Sequence, residues 1–255
     1  LEKKGLLCED RTTKTQRTPS SAKAFMKFPK LSPTEIIVLA IVAISIVIGF
    51  VLVFTDVMLF ESYVAEDGVV EWMTVLGLLS GSVTCFNRVL TLRHTRSLPF
   101  LFAIFLMGAI LFFGAGEEIS WGQRLFGIQS PDYFKENNAQ GETNIHNLIV
   151  GGQKLNRIIF TIVLAIALGV YIVLIPLLYK RKQWIRRLVD FFGIPLPQPY
   201  QIIAFLLMFG LVQLIPHMGK RDEISEEGTA LLLYLIIAFP FNRQTFLLGA
   251  VKSAI

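Results

Sequence analysis

Six apolar stretches, each close to the length of a bilayer crossing, constrain this chain more than any other feature. A hydrocarbon core of roughly 30 Å takes about 20 helical residues at 1.5 Å each. The stretches are Ile36 to Phe54, Val69 to about Val89, Pro99 to Gly116, Ile158 to Tyr179, about Tyr200 to Met218, and about Ser225 to Asn242. With 53% hydrophobic and 17% charged residues among 255, and a mean hydropathy of +0.59, the chain is too apolar for an ordinary soluble domain. The fold class that follows is all-α, a polytopic membrane protein built as a six-transmembrane-helix bundle.

Local signals agree with these boundaries. Ser32-Pro33-Thr34-Glu35 reads as a capping box with proline at the first helical position. The second stretch is uncharged only from Trp72 to Asn87, so Glu71 and Arg88 are expected near opposite interfaces. KRKQWIRRLVDFFG, residues 180–193, is basic and aromatic and reads as an amphipathic helix lying on the cytoplasmic membrane surface. Two cysteines, Cys8 and Cys85, form neither a disulfide framework nor a zinc-ligand spacing. Residues 1–30 read as a polar cytoplasmic tail and 31–255 as a single transmembrane domain. Met26 is the expected natural start, with the polar stretch before it set aside from fold reasoning.

If the six spans alternate, one side receives 18 of the 24 Lys and Arg but only 5 of the 19 Asp and Glu. The positive-inside rule then places both termini in the cytoplasm. The net charge of +5 is thus a sidedness signal, and no nucleic-acid partner is implied; membrane lipids are the expected surroundings.

Three polar segments open on the outer side: FESYVAEDGVVEWM (60–73), GEEISWGQRLFG through ENNAQGETNIHNL (116–148), and HMGKRDEISEEG (217–228). Carboxylates in the first turns of the second and sixth spans, such as Asp67 and Asp222, fit the helix dipole, whereas Glu71, Glu226 and Glu227 sit deeper. Glu117 and Glu118 end the third span, where the dipole disfavours them, so something must offset the cost. Glu117, Ser120, Trp121 and Arg124 recur at helical spacing, which predicts a Glu117–Arg124 ion pair if the helix continues. Glu142 and His146 would share a face if locally helical. With Glu118 they form the expected catalytic set, and the same three could ligate a divalent metal through oxygen and imidazole donors. Glu117, Trp121, Arg124, Asn144, Glu71 and Glu227 are the expected orienting or substrate-binding residues. Gly77 and Gly81 make a GxxxG pattern expected to serve close helix packing.

The strings AEDGVVEW, GEEISWGQRLFG and NNAQGETNIHNL, in this order across residues 65–150, resemble those of a group of uncharacterised bacterial polytopic inner-membrane proteins. That resemblance implies a bacterial inner-membrane location and assigns no chemistry to any residue. Three functions stand open at this point. One is hydrolysis or group transfer on a lipid or lipid-linked substrate at an outward carboxylate/His site. The second is small cation- or proton-linked transport. The third is a non-catalytic assembly role. The expected inner halves of the spans carry few polar groups, which favours an outward-facing site over a through-path.

Overall fold

A serine-capped first helix opens the described part of the chain. The computed structural model describes residues 30–150, 153–154, 163–216 and 220–248, and Ser32–Ile255 form one compact unit. Cys8, Met26, the start of the fourth expected span at Ile158, and His217 and Met218 at the end of the fifth lie outside the described residues.

Helix α1 spans Pro33–Thr55 and begins with the anticipated capping box: Glu35 N donates to Ser32 Oγ and Ser32 N to Glu35 Oε2. A short α2, Val57–Tyr63, follows, its first turn capped by Asp56, which accepts from Met58 N and Leu59 N. Then come α3, Val69–Leu92, and α4, Leu98–Glu118, the latter entered through Pro99. The segment between α4 and the fourth long helix holds α5, Gln123–Phe126, α6, Asp132–Asn137, and a small antiparallel ribbon. The ribbon's strands are β1, Ile149–Val150, and β2, Gln153–Lys154. The fourth long helix runs through α7, Leu164–Gly169, a π-turn at Val170–Leu174, and α8, Ile175–Arg181. Pro176 explains the wide turn: without an N–H it cannot bond the preceding turn, and the extra residue relieves the ring's clash. After α8 come α9, Gln183–Phe192, α10, Pro199–Gln213, and α11, Asp222–Ala238.

Four of these helices, α1, α3, α4 and the α7–α8 rod, are long and apolar enough to cross a membrane. The fifth and sixth stretches also form helices, but α10 has 15 residues and α11 has 17. At 1.5 Å per residue that is about 22 and 25 Å, short of a full hydrocarbon core. The reason for α11 is its position. It is the central helix, packed against α3, α10 and α1, with Leu232, Leu235 and Ile236 fully buried. A helix sheathed by others does not have to match the lipid thickness.

The helices expose many large apolar side chains while several polar ones lie buried among the apolar core. Ser45, Thr74, Ser82, Gln201 and Glu227 are buried, while Ile44, Phe54, Phe102, Ile110 and Leu207 are exposed. An apolar exterior around polar interior contacts is what lipid surroundings select. The glycine pattern serves this packing: a Cβ on Gly77 would lie 2.9 Å from Ala230 C and 3.0 Å from Leu231 N. Gly77 therefore lets α3 and α11 touch backbone to backbone within one chain.

Candidate functional site

The C-terminal end of α4 does not continue as a helix. Ile119 caps it, and Ser120, Trp121 and Gly122 all adopt the left-handed region, with φ of 46°, 55° and 76°. Two non-glycine residues in that region cost energy. The turn is held because Trp121 folds back over Gly116, where a Cβ would sit 2.8 Å from the indole, and meets Phe113 edge-on at 5.4 Å between ring centroids.

That reversal overturns the expected Glu117–Arg124 pair. Glu117 Oε1 instead accepts from Trp121 Nε1 at 2.8 Å, and Oε2 accepts from the amides of Ile145 at 2.5 Å and His146 at 3.2 Å. Three donors offset the unfavourable helix-end field on this carboxylate. Helical spacing from Glu117 to Arg124 has no meaning across three left-handed residues.

Arg124 serves other acids. Its Nη2 lies 2.7 Å from Glu71 Oε1, its Nη1 3.0 Å from Glu142 Oε1 and 3.2 Å from Glu66 Oε2, and its Nε 3.0 Å from Asp67 Oδ2. Burial works against the guanidinium's charge, but Glu71, Glu142 and Asp67 outweigh it and raise its pKa above the ordinary value. The same hub ties the α2–α3 connection to the 116–148 segment, two of the three long polar segments. Asp67, itself at φ 58°, donates its amide to Glu71 Oε2 at 2.7 Å, so Glu71 serves both the turn and the arginine.

The asparagine-rich loop closes on this hub. Glu142 Oε2 accepts from Ser120 Oγ at 2.5 Å, Ser120 Oγ accepts from Asn144 Nδ2 at 2.8 Å, and Asn144 Oδ1 accepts from Asn138 Nδ2 at 2.8 Å. Gln123 links in by accepting from Thr143 N at 2.8 Å and donating to Ser130 Oγ at 2.6 Å. Gln140 reaches across to Glu66. The loop is thus a hydrogen-bonded cap. It is not helical between Glu142 and His146, so these two do not share a helix face. Glu142 bonds to Arg124 and Ser120, while His146 Nδ1 lies 4.0 Å from Glu117 Oε2 and its Nε2 3.0 Å from Asn147 Nδ2. Glu118, Glu142 and His146 do not assemble as a ligand set: among the described residues no three His, Cys, Asp or Glu side chains are arranged to hold a metal ion.

A second constellation lies among the helices. Glu118 on α4 is within electrostatic reach of Glu71, Glu117 and Glu223, and Glu226 on α11 within reach of Glu118, Glu223, Asp222 and Glu71. Lys220 is near Glu223. Among the described residues no Lys, Arg or His forms an ion pair with Glu118 or Glu226. Spacing along the chain does not say that Glu118 on α4 and Glu226 on α11 come within electrostatic reach of each other. Sequence reasoning also missed Ser120, Gln123 and Asn138 as the groups that tie the cap together. Their one visible signal was their place in the polar strings.

Burial lowers the pKa of His146; Glu117 and Glu142 oppose that effect and Arg124 adds to it. The Asn147 amide 3.0 Å from Nε2 is a donor that a neutral ring can accept from. A depressed histidine stabilises the fold above the unfolded value of about 6.5, and that stability is lost as pH falls below it. Thermal unfolding between about pH 5 and 7 should therefore decline more steeply for the wild type than for His146→Gln. Parallel profiles would show that His146 does not titrate on unfolding.

No protein-family model, curated protein or solved structure matches this chain. What the fold and this site define is a class: an all-helical, membrane-embedded protein with a hydrogen-bonded polar cap at one end of its helices.

Proposed function

We propose that this chain is a bacterial inner-membrane protein of six spans with both termini cytoplasmic, and that its outward end takes up cations, protons included. In this reading α10 and α11 complete the six crossings inside a sheath of longer helices, and α9 lies on the cytoplasmic surface. Trp184, Leu188 and Phe191 on α9 are exposed beside Arg187, and together they line a shallow groove of about 350 Å³ that suits anionic lipid.

The observation that carries the reading is the group Glu118, Glu223 and Glu226, with Glu71 close by, drawn from three helices. Glu118 and Glu226 have no basic partner among the described residues. Like charges collected in apolar surroundings are stable only when a proton or another cation joins them. The cap next to them is self-satisfied, so it shapes the entrance rather than doing chemistry. Hydrolysis or group transfer on a lipid-linked substrate would have to rest on Glu118 with Glu226 as acid and base, since Glu142 is ion-paired to Arg124.

The test is thermal unfolding of the purified protein in lipid nanodiscs, with sodium, calcium or zinc added or the pH lowered. A ligand that binds only the native state stabilises it by about 2.7 kcal/mol at 100 times its Kd. The wild type should gain stability with at least one cation or with acid. Glu118→Gln/Glu226→Gln should be more stable at the outset and lose that response. A wild type indifferent to every cation and to pH would end this reading.

A further inference from the structure

A second carboxylate is buried away from this outer group. Glu227 is 1% exposed and turns from α11 toward α1, where its Oε1 accepts from Ser45 Oγ at 2.8 Å. Its Oε2 is buried with no hydrogen-bond partner among the described residues. The phenol of Tyr63, at the end of α2, lies beside Ser45 and within electrostatic reach of Glu227. Ser45 stands at the middle of α1, so the carboxylate reaches half-way along a membrane-spanning helix. Glu227, marked in the sequence as a deeper-lying carboxylate, thus reaches the middle of α1.

Among the described residues no fixed positive charge is paired with it. On α1, Glu35 is at the far end, bonded to Ser32 and Tyr200. On α3, Glu71 faces Arg124, and Arg88 donates to Ala238 O at the opposite end of α11. Helix α10 carries no charged residue. Glu226, the residue before it on α11, is within electrostatic reach of Glu118 and Glu223.

We propose that Glu227, with Ser45 and Tyr63, forms an intramembrane site for a small exchangeable monovalent cation, a proton or sodium. A buried carboxylate is costly unless something balances its charge. Here one oxygen is anchored by Ser45 and the other is left open for the balancing ion. Half-buried Tyr63 at the end of α2 marks the side from which the ion enters. The site extends the proposed cation uptake inward, but its test does not depend on the outer group.

The experiment is infrared difference spectroscopy of the purified protein in lipid, comparing wild type with Glu227→Gln and Glu227→Asp. If the ion is a proton, a pH step at constant sodium produces a carboxyl C=O band that vanishes in Glu227→Gln and shifts in Glu227→Asp. If it is sodium, adding sodium chloride at fixed pH shifts the carboxylate bands of Glu227, again with loss in Glu227→Gln. Ser45→Ala should move the band without removing it, and Glu118→Gln/Glu226→Gln should leave it unchanged. Should Glu227→Gln not fold, the Glu227→Asp shift alone decides. Spectra in which no band depends on residue 227 under either step would overturn the proposal, whatever the outer group does in the unfolding assay.

Discussion

Replacing Arg124 by methionine should cost about 3 kcal/mol of folding stability at neutral pH, the scale of breaking a buried ion pair by removing one partner. The loss is unequal across the four acids. Glu66 and Asp67 are half exposed, and exposed pairs contribute about 0–1 kcal/mol each. Glu71 and Glu142 are 6% and 14% exposed, and their charges would be left facing each other with no counter-ion. Methionine keeps much of the side-chain volume, so packing loss is minor. The signature is a pH rescue: the deficit is unbalanced negative charge, so it should shrink as acid neutralises the carboxylates. Glu71→Gln in the methionine background should restore part of the loss at neutral pH. Chemical or thermal unfolding in a fixed detergent measures both. A deficit that did not change with pH would show that the arginine acts by packing alone.

Gly77→Leu should be at least as damaging, through pure sterics. The added Cβ meets only backbone, 2.9 Å from Ala230 C, 3.0 Å from Leu231 N and 3.1 Å from Ala230 O, and backbone cannot rotate away. Helices α3 and α11 must separate, which strips contacts from the helix at the centre of the bundle. Overpacking typically costs about 1–3 kcal/mol, and a backbone clash at the bundle centre belongs at or above the upper end. Gly81→Ala is the graded comparison. Its Cβ would meet the side-chain ends of Leu111 at 3.1 Å and Ile237 at 3.4 Å, which can yield, so the cost should stay below about 1 kcal/mol. Gly114→Ala, facing only Leu78 at 3.5 Å, should be near neutral. Equal effects at 77 and 114 would mean that close α3–α11 approach is not what holds the bundle.

The sequence alone determined the parts governed by neighbours along the chain. The capping box at Ser32–Glu35 is an exchange between residues three apart. The helical character of the apolar stretches, the separate helix over Gln183–Phe192, and the close-packing use of Gly77 were all legible. Each depends on a repeat or a spacing that a helix imposes. Tertiary structure decided the rest. Whether Glu117 meets Arg124 turned on three left-handed residues at Ser120–Gly122, and only the fold of Trp121 onto Gly116 selects that turn. Glu142, expected as catalytic, and Asn144, expected as orienting or substrate-binding, both bond to Ser120 within the cap, a pairing set by the way the loop closes over α4. Glu118 with Glu226, and Glu227 with Ser45, are more than a hundred residues apart. Hydropathy shows that such residues are costly in a membrane, but only the packing of α11 against α1 and α3 decides which of them meet. Charge and polarity are properties of a residue; a partner is a property of the fold.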